Sequence, residues 1–344
     1  MRWDHLTDST SDTRAAGFFT TGAVRTRSFD APEFRGITFH EVHAKSIVNR
    51  VPDTSRMPFD WTLNPYRGCT HACTYCFART SHRYLDLNPG PDFDNQIVVK
   101  VNAAELLHRR LNSPRWQGEH IALGANVDCY QRAEGRYRLM PGILAALRDH
   151  ANPFSILTKG SLILRDLELL RQATQVTRVH VAVSIGFTDS ALWRTTEPGT
   201  PPPPSRLDTI RALTEAGIEV GVLMMPILPF IGDSPQELRA TVHAIAESGA
   251  SWLTPAVLYL QPGVRDWFMH ALRQSHPTEA PRYERLYAAG AYAPHWYRER
   301  ITREVTRLAG EFGIAVRPES DHWDTIAADT SAKDATGFVQ SPLF

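Results

Sequence analysis

The sequence predicts an α/β fold in which parallel strands alternate with helices. From Gly36 onwards, apolar runs of strand length alternate with segments that show the apolar periodicity of amphipathic helices. Six such strands joined by five crossovers would close about three quarters of an eight-stranded barrel. We therefore expect a partial (β/α)6 barrel, with ligands bound at the carboxyl ends of its strands.

The six strands and the five helices between them are predicted from these runs. The strands are expected at residues 61–66, 120–125, 153–158, 179–185, 218–225 and 251–258. The helices are expected at residues 103–111, 141–150, 163–172, 206–216 and 235–248. Ser234, Pro235 and Glu237 form the pattern of an N-cap, a first-turn proline and a capping box at the start of the last helix.

The two ends of the chain differ from this pattern. Residues 1–35 are polar and show no sustained period, which predicts a mobile, disordered N-terminal arm. Residues 36–260 hold the barrel core. Residues 261–344 carry apolar positions at helical spacing and are expected to form a helical C-terminal extension over the open side of the barrel.

Composition limits the partners and the location of the protein. The chain has 37 basic and 37 acidic residues, so no overall field draws it to nucleic acid or to an anionic membrane. Its N-terminus lacks a secretory signal, and the most apolar stretch, residues 220–231, is shorter than the ~20 residues that span a bilayer. The four cysteines do not form a disulfide framework, which favours a reducing, cytoplasmic location.

Cys69, Cys73 and Cys76 are three of the four cysteines, separated by three and then two residues. Three thiolates at this spacing can hold three irons of a cubane cluster, and the fourth iron then has no protein ligand. An open iron suggests chemistry rather than electron storage alone. Zinc is the alternative, but structural zinc sites usually have four ligands in two separated pairs.

The run from Asn64 to Arg79 resembles the radical S-adenosylmethionine (radical SAM) superfamily, whose signature is C-x3-C-x-aromatic-C, with Tyr75 as the aromatic residue. Within that superfamily it is similar to the branch of spore photoproduct lyase and the DNA-repair-photolyase-like proteins. The resemblance implies a partial barrel, a [4Fe-4S] cluster on the three cysteines, and S-adenosyl-L-methionine bound to the open iron. An electron donor such as a flavodoxin or ferredoxin would drive formation of a 5′-deoxyadenosyl radical.

The resemblance also assigns residues to the cofactor site. Tyr75 would lie near the adenine, Lys159 at the end of the third strand would pair with the cofactor carboxylate, and Ser184 would reach the ribose or methionine part. Glu197 and Arg206 match a family pair that fixes a loop over the cofactor. Ser184 is also out of pattern among β-branched residues of a buried strand, which itself favours a contact.

Asp128 and Cys129 follow the second strand, at the functional edge of the sheet. Asp128 matches a family aspartate, and the resemblance suggests that a cysteine near this position returns a hydrogen atom to the product radical. We assign both residues to catalysis. The alternative for Cys129 is a small buried hydrophobe, which is the most common role of a lone cysteine.

These observations predict a radical SAM enzyme of lyase or transferase type with an unidentified substrate. A DNA lesion is the substrate suggested by the branch, although the zero net charge does not support nucleic acid. The arginines in residues 283–307 alternate with glutamates, which indicates a solvated helix face. The competing hypothesis is a non-catalytic iron-sulfur redox sensor or electron carrier, which would need a fourth ligand from Cys129 or His71.

Overall fold

The computed structural model describes residues 8–11, 24–52, 57 and 59–317. The strands found there are β1 (Asp8–Ser11), β2 (Arg25–Phe29), β3 (Thr38–Val42), β4 (Val48–Arg50), β5 (Trp61–Leu63), β6 (Tyr66–Arg67), β7 (Gln96–Lys100), β8 (Ile121–Leu123), β9 (Phe154–Thr158), β10 (Val179–Ser184), β11 (Val220–Ile227), β12 (Trp252–Val257) and β13 (Ala315–Val316).

The α-helices of the same residues are α1 (Pro91–Asn95), α2 (Ala103–Leu111), α3 (Arg132–Tyr137), α4 (Leu139–Asp149), α5 (Leu167–Thr174), α6 (Ser190–Thr196), α7 (Pro203–Glu215), α8 (Pro235–Glu247), α9 (Arg265–Ser275), α10 (Ala280–Leu286) and α11 (His295–Glu311). Three 3-10 helices cover Pro32–Phe34, Phe77–Leu85 and Ser161–Asp166.

The larger sheet confirms the predicted α/β architecture. Its strand order is β13-β12-β11-β10-β9-β8-β5-β4. All neighbours from β5 to β13 pair in parallel, and only β4 runs antiparallel to its neighbour β5. The six predicted strands are β5, β8, β9, β10, β11 and β12, which form the parallel sheet of a partial (β/α)6 barrel. Strands β9 to β11 read as nearly continuous apolar runs because helices cover one face and the core fills the other.

Most of the predicted helices are confirmed. Four of the five match α2, α4, α7 and α8, and α7 begins earlier than expected, at Pro203, because proline suits the first helical turn. The capping box of α8 is present, with Ser234 and Glu237 each accepting from the other's backbone amide. The predicted helix at residues 163–172 is instead a 3-10 helix followed by α5. The carboxylate of Asp166, at the junction, accepts from Tyr130 and Arg165 and makes no capping bond.

The prediction of a mobile N-terminal arm is wrong for residues 24–35. Here β2 pairs antiparallel with β3, and β2 belongs to a second sheet of order β1-β2-β3-β7-β6. Phe29 and Phe34 are buried and pack on Phe39 at ring distances of 5.3 and 5.5 Å. The polar composition concealed these few aromatic anchors. The rest of the predicted arm, residues 1–7 and 12–23, lies outside the described residues.

The stretch predicted as the first strand, residues 61–66, is divided between the two sheets. Strand β5 belongs to the barrel, whereas β6 pairs antiparallel with β7 in the second sheet. Proline at position 65 removes a backbone donor between them, so one strand cannot continue through it. The chain therefore leaves the barrel just before the cysteine loop begins.

The C-terminal extension is helical as predicted over the described residues. Helix α11 packs against α8 and β12, and Phe268, Tyr283 and Tyr297 join the hydrophobic core of the barrel. Strand β13, which the sequence did not predict, extends the barrel sheet beside β12. Residues 318–344 lie outside the described part, and the boundaries at 36 and 260 stay predictions. No helix in the described ranges is long and apolar enough to cross a membrane.

Candidate functional site

The cysteine loop connects β6 to the 3-10 helix Phe77–Leu85. Cys69 and Cys73 are buried, Cys76 is half-buried, and none of them forms a disulfide. Gly68, at the start of the loop, has a φ of 78°, and a side chain there would place its Cβ 2.9 Å from the carbonyl oxygen of Gln96. Only glycine accommodates both the left-handed conformation and this close approach.

The three thiols share a buried space. Burial is the main cause that raises the pKa of each thiol. The charge of Asp128 raises the pKa of Cys69 further, Glu197 does so for Cys73, and Cys76 adds to the effect on both. A cationic centre would reverse this balance and stabilise the thiolates, as in a metal site.

Among the described residues, no three His, Cys, Asp or Glu side chains are close enough to hold a single metal ion. An iron-sulfur cluster does not require three side chains to converge on one ion, because each of its cysteines binds a different iron. The donor set, three thiols and no carboxylate, is also the one that such clusters use. The residues therefore fit the cluster that the cysteine spacing predicts.

Gln131 holds the first turn of the loop from the end of β8. Its side chain is fully buried, its Nε2 donates to the carbonyl of Gly68 at 3.0 Å, and its Oε1 accepts from the amide of Thr70 at 2.9 Å. These bonds bracket Cys69 on both sides. The sequence analysis did not assign Gln131, although its position just after Asp128 and Cys129 at a strand end was the available signal.

The loop that follows α6 lies directly against the cysteine loop. The amide of Thr74 donates to the carbonyl of Thr196 at 2.9 Å, and the amide of Gly199 donates to the carbonyl of His71 at 3.0 Å. A Cβ on Gly199 would come within 2.1 Å of the carbonyl oxygen of Thr70. Gly199 therefore permits the backbone contact that places Glu197 beside Tyr75.

Glu197 and Arg206 form a buried ion pair behind the site. The Tyr75 hydroxyl donates to Glu197 Oε1, and Arg206 binds Oε2. Burial alone would raise the pKa of Glu197, but the charges of Arg206 and Lys159 outweigh it and lower that pKa. Both members of the pair are buried, and through Glu197 the pair holds the Tyr75 hydroxyl, while their part in the cofactor site stays a prediction.

Lys159 and Ser184 meet at the carboxyl ends of β9 and β10. Lys159 Nζ donates to Ser184 Oγ at 2.6 Å, and Ser184 Oγ donates to the carbonyl of Met225 at 2.9 Å. The ammonium group lies 6.0 Å from the centre of the Tyr75 ring. Its charge also acts on the thiol of Cys73. The structure therefore brings Tyr75, Lys159 and Ser184 together beside the cysteine loop.

Asp128 ties the cysteine loop to the end of β9. Its carboxylate accepts from the Thr158 hydroxyl at 2.7 Å, the Lys159 amide at 2.7 Å and the Tyr130 amide at 2.8 Å, and it faces His71 Nδ1 at 3.3 Å. Burial opposes its charge, but His71 and these hydrogen bonds lower the pKa of Asp128 to about 2. An acceptor so fully engaged positions its neighbours, and the sequence analysis missed His71 as its partner.

Cys129 has no exposed surface and belongs to the hydrophobic core of the barrel. Burial, followed by the charge of Asp128, raises the pKa of its thiol. This burial favours the alternative, a small buried hydrophobe, and the assignment of Cys129 as a hydrogen donor stays a prediction.

Comparison with known proteins agrees with the resemblance that the cysteine motif carries. A family model described as the radical SAM superfamily matches residues 63–245. A protein of Mycobacterium tuberculosis described as uncharacterized is 49% identical over 289 residues, which cover 84% of this chain and 85% of that protein. A protein of Methanocaldococcus jannaschii, also described as uncharacterized, is 29% identical over 195 residues, or 56% of this chain and 69% of its own.

The fold is similar to solved structures of spore photoproduct lyase. One variant of that enzyme superposes with a TM-score of 0.61 at 16% identity, covering 84% of this chain and 85% of the other. A second variant, with bound AdoMet and dinucleoside spore photoproduct, gives a TM-score of 0.58 at 15% identity over 78% of each chain. At this level of identity the likeness concerns the fold.

Asp128→Asn should reduce stability in a pH-dependent way. The pKa of this carboxyl is about 2 in the folded chain and about 3.9 in an unfolded one, so its contribution is complete above pH ~4 and disappears as the pH falls to ~2. We expect a loss on the order of 2 kcal/mol at neutral pH, measured by urea unfolding of the iron-free chain. Asp208→Asn, on an exposed side chain, is the control. An equal loss at every pH would assign the effect to lost hydrogen bonds alone.

Proposed function

The chain belongs to the radical SAM superfamily, and on this premise we propose that it binds one [4Fe-4S] cluster through Cys69, Cys73 and Cys76 and cleaves S-adenosyl-L-methionine reductively. A bound cluster supplies the electron for this cleavage, which yields methionine and a 5′-deoxyadenosyl radical that abstracts a hydrogen atom from the substrate. The observation that carries the proposal is three unpaired thiols in one buried space beside a lysine and a serine at strand ends.

Each side chain near the loop has a part in this proposal. Lys159 binds the carboxylate of S-adenosyl-L-methionine, because its compact ammonium group is half-buried and already near Tyr75. Ser184 orients that ammonium group and offers its hydroxyl to the ribose or methionine part. Tyr75, held by Glu197, provides a fixed aromatic surface for the adenine.

The proposal includes an electron donor such as a flavodoxin or ferredoxin. Cys76 is the least buried of the three cysteines, and Phe77 beside it is 43% exposed. We place the entry of electrons on this side of the loop, where a donor could approach most closely. A cytoplasmic location is part of the same proposal, because free thiols persist in a reducing compartment.

A DNA lesion is the narrower substrate proposal. Spore photoproduct lyase, which has a similar fold, has been solved with a dinucleoside spore photoproduct. In this chain, exposed Tyr259 and Tyr292 lie after β12 with ring centres 4.6 Å apart, and Arg298 lies 5.4 Å from the Tyr292 ring. Such an aromatic and cationic patch suits a stacked base.

Two arginines further along α11, Arg303 and Arg307, do not add to this patch. Arg303 pairs with Glu299 and Arg307 with Glu304, each at 2.7 Å. These pairs confirm the interpretation of α11 as a solvated helix face, because the charges that could bind phosphates are already neutralised along the same helix. The substrate proposal therefore depends on stacking rather than on phosphate contacts.

Reductive cleavage of S-adenosyl-L-methionine is the first test. After anaerobic reconstitution and reduction, the protein should release 5′-deoxyadenosine, detected by chromatography, and a variant with Cys69, Cys73 and Cys76 changed to alanine should release none. Cys129→Ala is the matched control and should retain cleavage, because the fourth cysteine lies in the core. An intact, reduced cluster that cleaves nothing would instead support the electron-carrier hypothesis.

Lys159→Met should weaken binding of S-adenosyl-L-methionine by roughly tenfold or more, since a hydrogen bond to a charged group contributes about 1.5–3 kcal/mol. Calorimetric titration of the reconstituted, oxidised protein measures this affinity. Arg109→Met, which removes a cation on the exposed face of α2, should bind as tightly as the unchanged protein. Equal affinity in both variants would remove Lys159 from the cofactor site.

The substrate proposal predicts a preference for damaged DNA. The reconstituted enzyme should bind ultraviolet-irradiated duplexes more tightly than intact ones and should reduce their lesion content, measured by mass spectrometry. Tyr292→Ala should weaken that binding several-fold, because stacking contributes about 1–3 kcal/mol per base. Tyr84→Ala, at an 81% exposed position outside the patch, is the control. Weak, equal binding of both duplexes without repair would end this proposal.

A further inference from the structure

Arg79 is a buried cation that lies against the cysteine loop. Only 1% of it is exposed. Its Nε and Nη2 donate to the carbonyl of Cys73 at 3.1 and 3.0 Å, and its Nη1 donates to the carbonyl of Gly90 at 2.8 Å. Its Nη2 also binds both oxygens of Asp94, at 2.8 and 3.0 Å. The whole guanidinium group is therefore fixed in one orientation.

Two aromatic rings enclose this ion pair. The guanidinium carbon lies 5.2 Å from the centre of the Phe93 ring and 5.0 Å from that of the Trp267 ring. Phe93 belongs to α1 and Trp267 to α9 of the C-terminal extension. We call Arg79, Asp94, Phe93 and Trp267 the Arg79 clamp. It joins three separate segments of the chain at the cysteine loop and excludes water from Arg79, whereas 22% of the Asp94 side chain stays exposed.

A contact that only stabilised the fold would not need these charges. Removing two charges from water costs free energy, and a well-packed apolar pair of the same size does not have this cost. A buried ion pair is therefore weak evidence for stability. The charges of the Arg79 clamp instead lie where they act on the thiols. Arg79 donates to the carbonyl of Cys73 and follows Cys76 by three residues, whereas Asp94 reaches the cysteine loop through Arg79.

We propose that the Arg79 clamp sets the reduction potential of the cluster, with Arg79 raising the potential and Asp94 lowering it. This inference rests on the proposed function, because it requires the [4Fe-4S] cluster on the three cysteines. Reduction adds one electron to a centre that already carries thiolate charge. A fixed positive charge in a water-excluded space stabilises the reduced state, and a fixed negative charge destabilises it. Arg79 is thus not a catalytic residue, since it affects the reaction through the reduction potential of the cluster.

The test is the midpoint potential of the reconstituted full-length protein, measured by redox titration with electron paramagnetic resonance in the absence of S-adenosyl-L-methionine. Arg79→Gln should shift the potential to more negative values. Asp94→Asn, which keeps the shape of the side chain, should shift it to more positive values. Arg303→Gln and Asp208→Asn change exposed charges on other helices and should leave the potential unchanged.

Opposite shifts from the two members of one ion pair are a result that loosened packing alone would not produce. Shifts of the same sign, or no shift at normal iron content, would overturn the inference. If Arg79→Gln fails to hold iron, Asp94→Asn still decides the matter, and loss of the cluster from both variants would reduce the Arg79 clamp to a structural support. Failure of the unchanged protein to bind a four-iron cluster would reject the proposed function itself, which is a distinguishable outcome.

Discussion

The organisation of the protein depends on holding three thiols in one buried space on a loop that has little regular structure of its own. In helices and sheets the backbone N–H and C=O groups form hydrogen bonds with one another, whereas the backbone of this loop needs hydrogen-bond partners from other segments. Gln131 supplies them from the end of β8, the loop around Gly199 supplies them from beyond β10, and Arg79 supplies them from the following 3-10 helix. The parallel barrel brings these partners to one edge, which is why the strand order determines the site.

The charges of the site are arranged in pairs although the chain as a whole is neutral. Three acids near the loop, one buried and two half-buried, each have a basic partner: Glu197 with Arg206, Asp94 with Arg79, and Asp128 with His71. Lys159 instead contacts only a hydroxyl, Ser184 Oγ, among the bonds that the described residues make. In a space of low dielectric such a cation is the strongest attraction for an incoming carboxylate. The paired charges fix geometry, and the unpaired one is the cation that the proposed function assigns to the carboxylate of the cofactor.

Local pattern was sufficient to predict the barrel strands and the cysteine motif, and the family resemblance selected the strand-end residues Lys159 and Ser184, which the structure brings together. Long apolar runs and closely spaced cysteines carry their signal within a few residues. What the sequence could not show depends on contacts between distant segments. The second sheet escaped prediction because its strands are short and polar on one face, and Arg79 because its partner Trp267 lies far along the chain.

The antiparallel pairing of β6 with β7 has a consequence for how the centre assembles. Residues 68–95 leave the second sheet at β6 and return to it at β7, so the backbone bonds of the two strands bring the ends of the excursion together. The pairing of these strands closes the loop and offsets the chain entropy that is lost on closure. Sheet formation requires no iron. Under the proposed function, the cluster would enter a loop whose two ends are already joined, whereas a zinc finger folds around its ion.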